Sequence, residues 1–261
     1  MRRFLLRRYR LFAPYLSRHG LVLLIVLLLA DGIATLCFPQ IKAELALSPS
    51  RPPAPAVRAF KVAALASGEA THVLAVDTFQ RPDQRYWGTA SDGETWQADA
   101  NNEHNFVIFA HAGVIEAPPQ PIYCNALLGP EKANVELTFE ATLSQYNGSL
   151  LGAVLRWSDA NNFYALTLDG QKLALARVMD GMQIPLQSVT FPARAGSSYT
   201  FRFRATGAQL FAMTWPTGQP APADWQLSAS DSAFTTGQAG LRVLLQQGTQ
   251  ARITAYKEVQ L

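Results

Sequence analysis

The chain has 261 residues, 49% hydrophobic and 16% charged, which is enough apolar material for a sizeable core and excludes a broadly disordered polypeptide. Its formal net charge of +3 conceals an asymmetry: residues 1–60 carry nine Lys/Arg and two acids, net +7, whereas residues 61–261 are net −4. Recognition of nucleic acid needs a basic face on the folded part, so a mildly acidic body argues against a nucleic-acid partner.

Residues 1–19 form a basic tail with six Arg and no acid, followed at 20–38 by the hydrophobic segment GLVLLIVLLLADGIATLCF. As a helix, such a segment rises about 1.5 Å per residue and reaches about 28 Å, close to the hydrocarbon thickness of a bilayer. Arginine on its N-terminal flank favours a cytoplasmic N-terminus and an extracytoplasmic body, so the segment is expected to be a single transmembrane anchor. Asp31 interrupts it at a cost of about 2.5–3.5 kcal/mol, which the six Leu of Leu21–Ala30 offset. A cleaved signal peptide followed by secretion stays open as the alternative. Residues 39–71 read as an extracytoplasmic spacer, semi-rigid where four prolines fall within 48–58. The two cysteines, Cys37 and Cys124, lie far apart and match no zinc spacing.

From about residue 72 the hydrophobic period becomes two, the mark of half-buried strands. Val135, Leu137, Phe139 and Ala141 alternate with Glu136, Thr138, Glu140 and Thr142, and Tyr199, Phe201 and Phe203 with Thr200, Arg202 and Arg204. Leu151, Ala153, Leu155 and Trp157 form another set expected to point inward, and 164–168, 172–178, 209–215, 241–245 and 252–259 also read as strands. Asp169-Gly170 and Asp180-Gly181 are hairpin dipeptides. Short strands without a long amphipathic helix predict an all-β domain over 72–261, a two-sheet antiparallel jelly-roll sandwich behind one transmembrane helix.

Three stretches carry a family likeness. They are Asp77-Thr78-Phe79-Gln80-Arg81 with Trp87-Gly88 and Ser91-Asp92-Gly93-Glu94-Thr95-Trp96; Leu155-Arg156-Trp157-Ser158-Asp159 running on to Phe163-Tyr164; and Gly207, Trp215, Pro222, Trp225 and Gly240-Leu241. In this order they resemble the concanavalin A-like, laminin-G-like jelly-roll domains of bacterial surface proteins, over about residues 73–261. That family contains lectin-like binders, adhesion modules and glycoside hydrolases, and frequently carries calcium. Many relatives end their last strand in F-D-x-F, where this chain has Tyr256-Lys257-Glu258-Val259.

Glycoside hydrolysis needs two carboxylates flanking the scissile bond. The nearest pattern is Glu136-Leu137-Thr138-Phe139-Glu140, whose two acids share a strand face but stand about 13–14 Å apart without a third carboxylate between them. Asp77 and Asp92 are the candidate ligands if calcium is bound; no other cofactor is expected. For carbohydrate, Arg156, Tyr164, Arg177 and Trp215 are the candidate contacts, since planar guanidinium groups and aromatic rings suit sugar hydroxyls and ring faces. The sequence therefore favours a non-enzymatic extracytoplasmic module that binds carbohydrate or a cell-envelope polymer. A glycan-active hydrolase and a structural or sensory ectodomain that contacts other proteins stand as alternatives.

Overall fold

A period of two places every second side chain on one face of a sheet, and two sheets that each carry one apolar face bury them against each other. The computed structural model describes residues 72–117 and 119–261; the basic tail, the hydrophobic segment and the spacer lie outside the described residues. Sixteen strands follow: β1 (His72–Asp77), β2 (Gln84–Arg85), β3 (Gln97–Ala98), β4 (Phe106–Ile108), β5 (Gly113–Glu116), β6 (Ile122–Leu127), β7 (Val135–Leu143) and β8 (Leu151–Asp159). The second half holds β9 (Asn162–Leu168), β10 (Lys172–Met179), β11 (Met182–Thr190), β12 (Ser198–Thr206), β13 (Gln209–Pro216), β14 (Leu227–Ser230), β15 (Gln238–Leu245) and β16 (Gln250–Gln260). A single 3-10 turn, Asp99–Asn101, separates β3 from β4.

The strands form two antiparallel sheets. One runs β14-β13-β12-β7-β16-β5-β4-β2, with β1 also paired to β16; the other runs β11-β10-β9-β8-β15-β6-β3. Both hairpin dipeptides fall where expected. At Met179–Met182 the two central residues, Asp180 (φ 51°) and Gly181 (φ 76°), take the left-handed conformation that a tight two-residue hairpin requires. Leu137, Phe139, Phe201 and Phe203 of the first sheet and Leu155, Leu166, Leu173 and Leu241 of the second meet in one core. Phe139 and Phe201, opposite each other on β7 and β12, stack with centroids 4.5 Å apart. Each such side chain contributes about 1.5–3 kcal/mol by leaving water.

One strand departs from plain alternation. The register of β8 against β9 shifts after Leu155, and Arg156 has φ 52°. Against β15 the bulge adds one residue to β8, and by the Asp159–Asn162 pair the excess over β9 is two. Trp157, expected to join Leu155 in the core, instead packs on the opposite face of its sheet with Val154 and Phe163, and Arg156 turns into the interior. Gly237 lies against the bulge: a Cβ there would come within 2.4 Å of the Arg156 carbonyl carbon.

The opening motif is an interior network. Asp77 is fully buried. It accepts from Arg81 Nη1 and Nη2 at 2.7 and 3.0 Å, Trp96 Nε1 at 2.7 Å, Ser91 Oγ at 3.0 Å and the Phe79 amide at 2.8 Å. Arg81 also donates to the Trp87 carbonyl at 2.6 Å. Around it, Phe79, Trp87, Trp96, Phe106 and Tyr256 make a chain of edge-to-face contacts with centroids 4.8–5.2 Å apart. Removing one partner of a buried ion pair leaves the other unpaired in the interior. Asp77→Ala is therefore expected to cost about 3–5 kcal/mol, read as a lower urea midpoint, whereas Gln80→Ala on the exposed side of the same loop shifts it little.

Candidate functional site

The face of the β11-β10-β9-β8-β15-β6-β3 sheet that points away from the core holds a second, smaller apolar cluster: Leu127, Val154, Trp157, Phe163, Ala165 and Val178. Trp157 and Phe163 stack with centroids 4.7 Å apart and planes 20° from parallel. Alternation sends Arg242 of β15 to this face, between the core residues Leu241 and Val243, and Tyr123 and Asn125 of β6 stand beside it. The Arg242 guanidinium lies 3.9 Å over the Tyr123 ring and 4.9 Å from that of Phe163. Its Nη1 donates to Asn125 Oδ1 at 2.7 Å. Asp99 of the 3-10 turn accepts the Asn125 backbone amide at 2.7 Å and its side-chain Nδ2 at 3.5 Å, which fixes Oδ1 toward the arginine. Burial pulls the Arg242 guanidinium below the ordinary arginine range, with Tyr123 and Asp99 working in the opposite direction. Phe163 and Val154 are fully buried and Trp157 nearly so, and the exposed part of this face is the Tyr123 ring with the half-buried Arg242 and Asn125 beside it.

The residues nominated from the sequence fall elsewhere. Arg156, Tyr164 and Arg177 do converge, but inside one end of the sandwich. Arg156 donates to the carbonyls of Ala133, Phe234 and Gly207, Tyr164 Oη to Asp231 Oδ1 at 2.7 Å, and Arg177 Nη1 to Asp231 Oδ2 at 2.6 Å. In this structure the three tie the 231–234 loop and the 133 and 207 turns to the sheet. Trp215 is half-buried on the outer face of the other sheet, opposite Thr200. Glu136 and Glu140 lie on that outer face too. Both Glu136 oxygens are taken, by Arg202 Nε at 2.6 Å and Arg204 Nε at 2.7 Å, and Trp225 covers both guanidinium groups at 5.2 Å. Glu140 accepts from Thr254 Oγ1. Of the calcium candidates, Asp77 has its oxygens filled by interior donors, and Asp92 accepts the backbone amides of Val76 and Glu94. Among the described residues no group of three or more His, Cys, Asp or Glu gathers to hold a metal. Tyr123, Asn125, Phe163 and Arg242 were not nominated; the available signal was an arginine between apolar residues within a strand.

No family model and no curated protein matches the sequence. Solved structures do. The GH43 BlXynB protein from Bacillus licheniformis superposes with TM-score 0.52 at 14% identity over 71% of this chain and 39% of its own. The catalytic domain of an endo-1,3-beta-glucanase (laminarinase) from Thermotoga petrophila RKU-1 gives TM-score 0.50 at 10% identity over 74% and 98%. The carbohydrate binding module CBM66 from Bacillus subtilis gives 0.46 at 14% over 70% and 93%. At these identities the likeness is one of fold. The domain is an antiparallel two-sheet β-sandwich, a fold it shares with the GH43 and laminarinase structures.

The last strand holds one further acid. Glu258 points inward from β16 and is fully buried, and neither carboxylate oxygen has a hydrogen-bond partner among the described residues. It lies under Gly129, where a Cβ would sit 2.5 Å from Oε2. Burial pushes its pKa from 4.5 up to about 8, with Lys132 pulling the other way. A carboxyl whose folded value is raised contributes its full stability below the unfolded value and loses it as pH rises toward the folded one. The domain is therefore expected to lose stability between about pH 4.5 and 8, at up to about 1.4 kcal/mol per pH unit. Glu258→Gln should flatten that slope in urea titrations repeated across this range.

Proposed function

We propose that the domain is a non-enzymatic carbohydrate-binding module, carried outside the cytoplasm on the hydrophobic segment 20–38 and held off the membrane by the spacer 39–71. The observation that carries this reading is the exposed Tyr123 ring with Arg242 and Asn125 held beside it on the outer face of the sheet. Sugars offer apolar ring faces and hydroxyl edges, and this face offers an exposed aromatic ring with hydrogen-bonding groups beside it. The fold likeness to carbohydrate-active proteins agrees with the reading.

Hydrolysis fits less well. Glu136 spends both oxygens on arginines, so neither is available to a glycosidic oxygen or an attacking water. Glu140, four residues further along β7, is about 13–14 Å away, beyond the separation that paired glycosidase carboxylates use.

Two measurements test the proposal. Retention of the protein on a panel of polysaccharides should reveal a bound polymer, with no reducing ends released on prolonged incubation. Tyr123→Ala should weaken that binding about tenfold, or about 1.4 kcal/mol; retention on no polymer at all would count against the reading. For the anchor, the protein should stay with the membrane through an alkaline carbonate wash, and a shortened form in the medium would instead mark a cleaved signal.

A further inference from the structure

We infer that the Tyr123–Asn125–Arg242 face selects anionic saccharides, with the side edge of the Arg242 guanidinium taking a ligand carboxylate of the uronate type. The inference rests on the carbohydrate reading above and adds the chemical class of the sugar. Arg242 spends Nη1 on Asn125 Oδ1; Nε and Nη2 make no hydrogen bond among the described residues and are not sealed from water. Those two donors form the side edge of the fork, the geometry that a planar carboxylate meets with two parallel hydrogen bonds. Four other arginines are committed to carboxylates, Arg81 to Asp77, Arg177 to Asp231, and Arg202 and Arg204 to Glu136, while Arg156 and Arg252 are spent on backbone carbonyls. Arg242 forms no ion pair among the described residues. Its nearest acid, Asp99, is turned to the Asn125 amides and acts by holding Asn125 in place. Phe163 and Tyr123 lie against the guanidinium, which is half-buried, so a cation already partly stripped of solvent gains more from an incoming anion than one on an open surface. Tyr123 beneath it limits its rotation and lowers the entropy lost on binding.

The test uses the full-length chain in detergent and compares polygalacturonate, the same polymer with its carboxyl groups reduced, laminarin and dextran sulfate. Polygalacturonate should bind at least tenfold more tightly than its carboxyl-reduced form and laminarin. Arg242→Met should remove that preference, and Arg242→Lys, which keeps the charge but not the fork, should recover only part of it. Equal binding of native and carboxyl-reduced polymer overturns the inference and leaves the carbohydrate reading standing, and so does a preference for dextran sulfate over polygalacturonate. Binding of none of the four overturns the inference, and the wider panel then decides the carbohydrate reading. The comparison between native and reduced polymer uses the unaltered protein, so it stands even if an Arg242 variant fails to fold.

Discussion

A carboxylate in a protein interior is tolerated only if its charge and its lone pairs are met, and Asp77 is where this sandwich satisfies that demand. Arg81 supplies the counter-charge, and Trp96, Ser91 and the Phe79 amide fill the remaining acceptor positions. Because these donors come from a loop of some twenty residues with little regular structure, the ion pair organises a segment that has few ladder hydrogen bonds of its own. The aromatic chain then passes that order to Phe106 of β4 and Tyr256 of β16, the longest strand. Without Asp77 the buried Trp96 Nε1 and the largely buried Arg81 guanidinium would lose their acceptor, each a net cost.

The alternation of β7, β12 and β15 was legible because side-chain period and burial coincide there without interruption. The residues of the opening motif were legible as a group, but their chemistry was not. Asp77 and Asp92 suggested metal ligands from composition alone, and only the three-dimensional path of the loop shows that Arg81 and Trp96 fill Asp77. Arg156, Tyr164 and Arg177 illustrate a harder limit. They do converge, yet their common partners, Asp231 and the 234 carbonyl, lie 54 to 78 residues further along the chain. Periodicity assigns a side chain to one side of a strand; it does not say which side becomes the interior once a bulge intervenes. Arg242 was the opposite case, visible in a regular strand but without meaning until Tyr123 and Asn125 were seen to hold it.

The two outer faces now have distinct electrostatic characters. On the β12–β7 side, two arginines share one carboxylate beneath an indole, a cluster whose charges are mostly spent on each other. On the β15–β6 side a single guanidinium is held by an aromatic ring and a neutral amide, and its charge remains available. Charge that is internally compensated stabilises a surface, whereas charge held without a partner is available to a ligand.

The extra residue at Arg156 has an evolutionary consequence. Whether an indole or a guanidinium is displayed from that end of β8 is set by the count of residues between Leu155 and Asp159, not by their identities. Straightening the bulge would exchange them, sending the side chain after Leu155 outward and the next one inward, while Leu151, Ala153 and Leu155 kept their places. Sandwiches of this kind can thus diversify what they present by insertion and deletion at a bulge, a route that comparison of substitutions alone does not register.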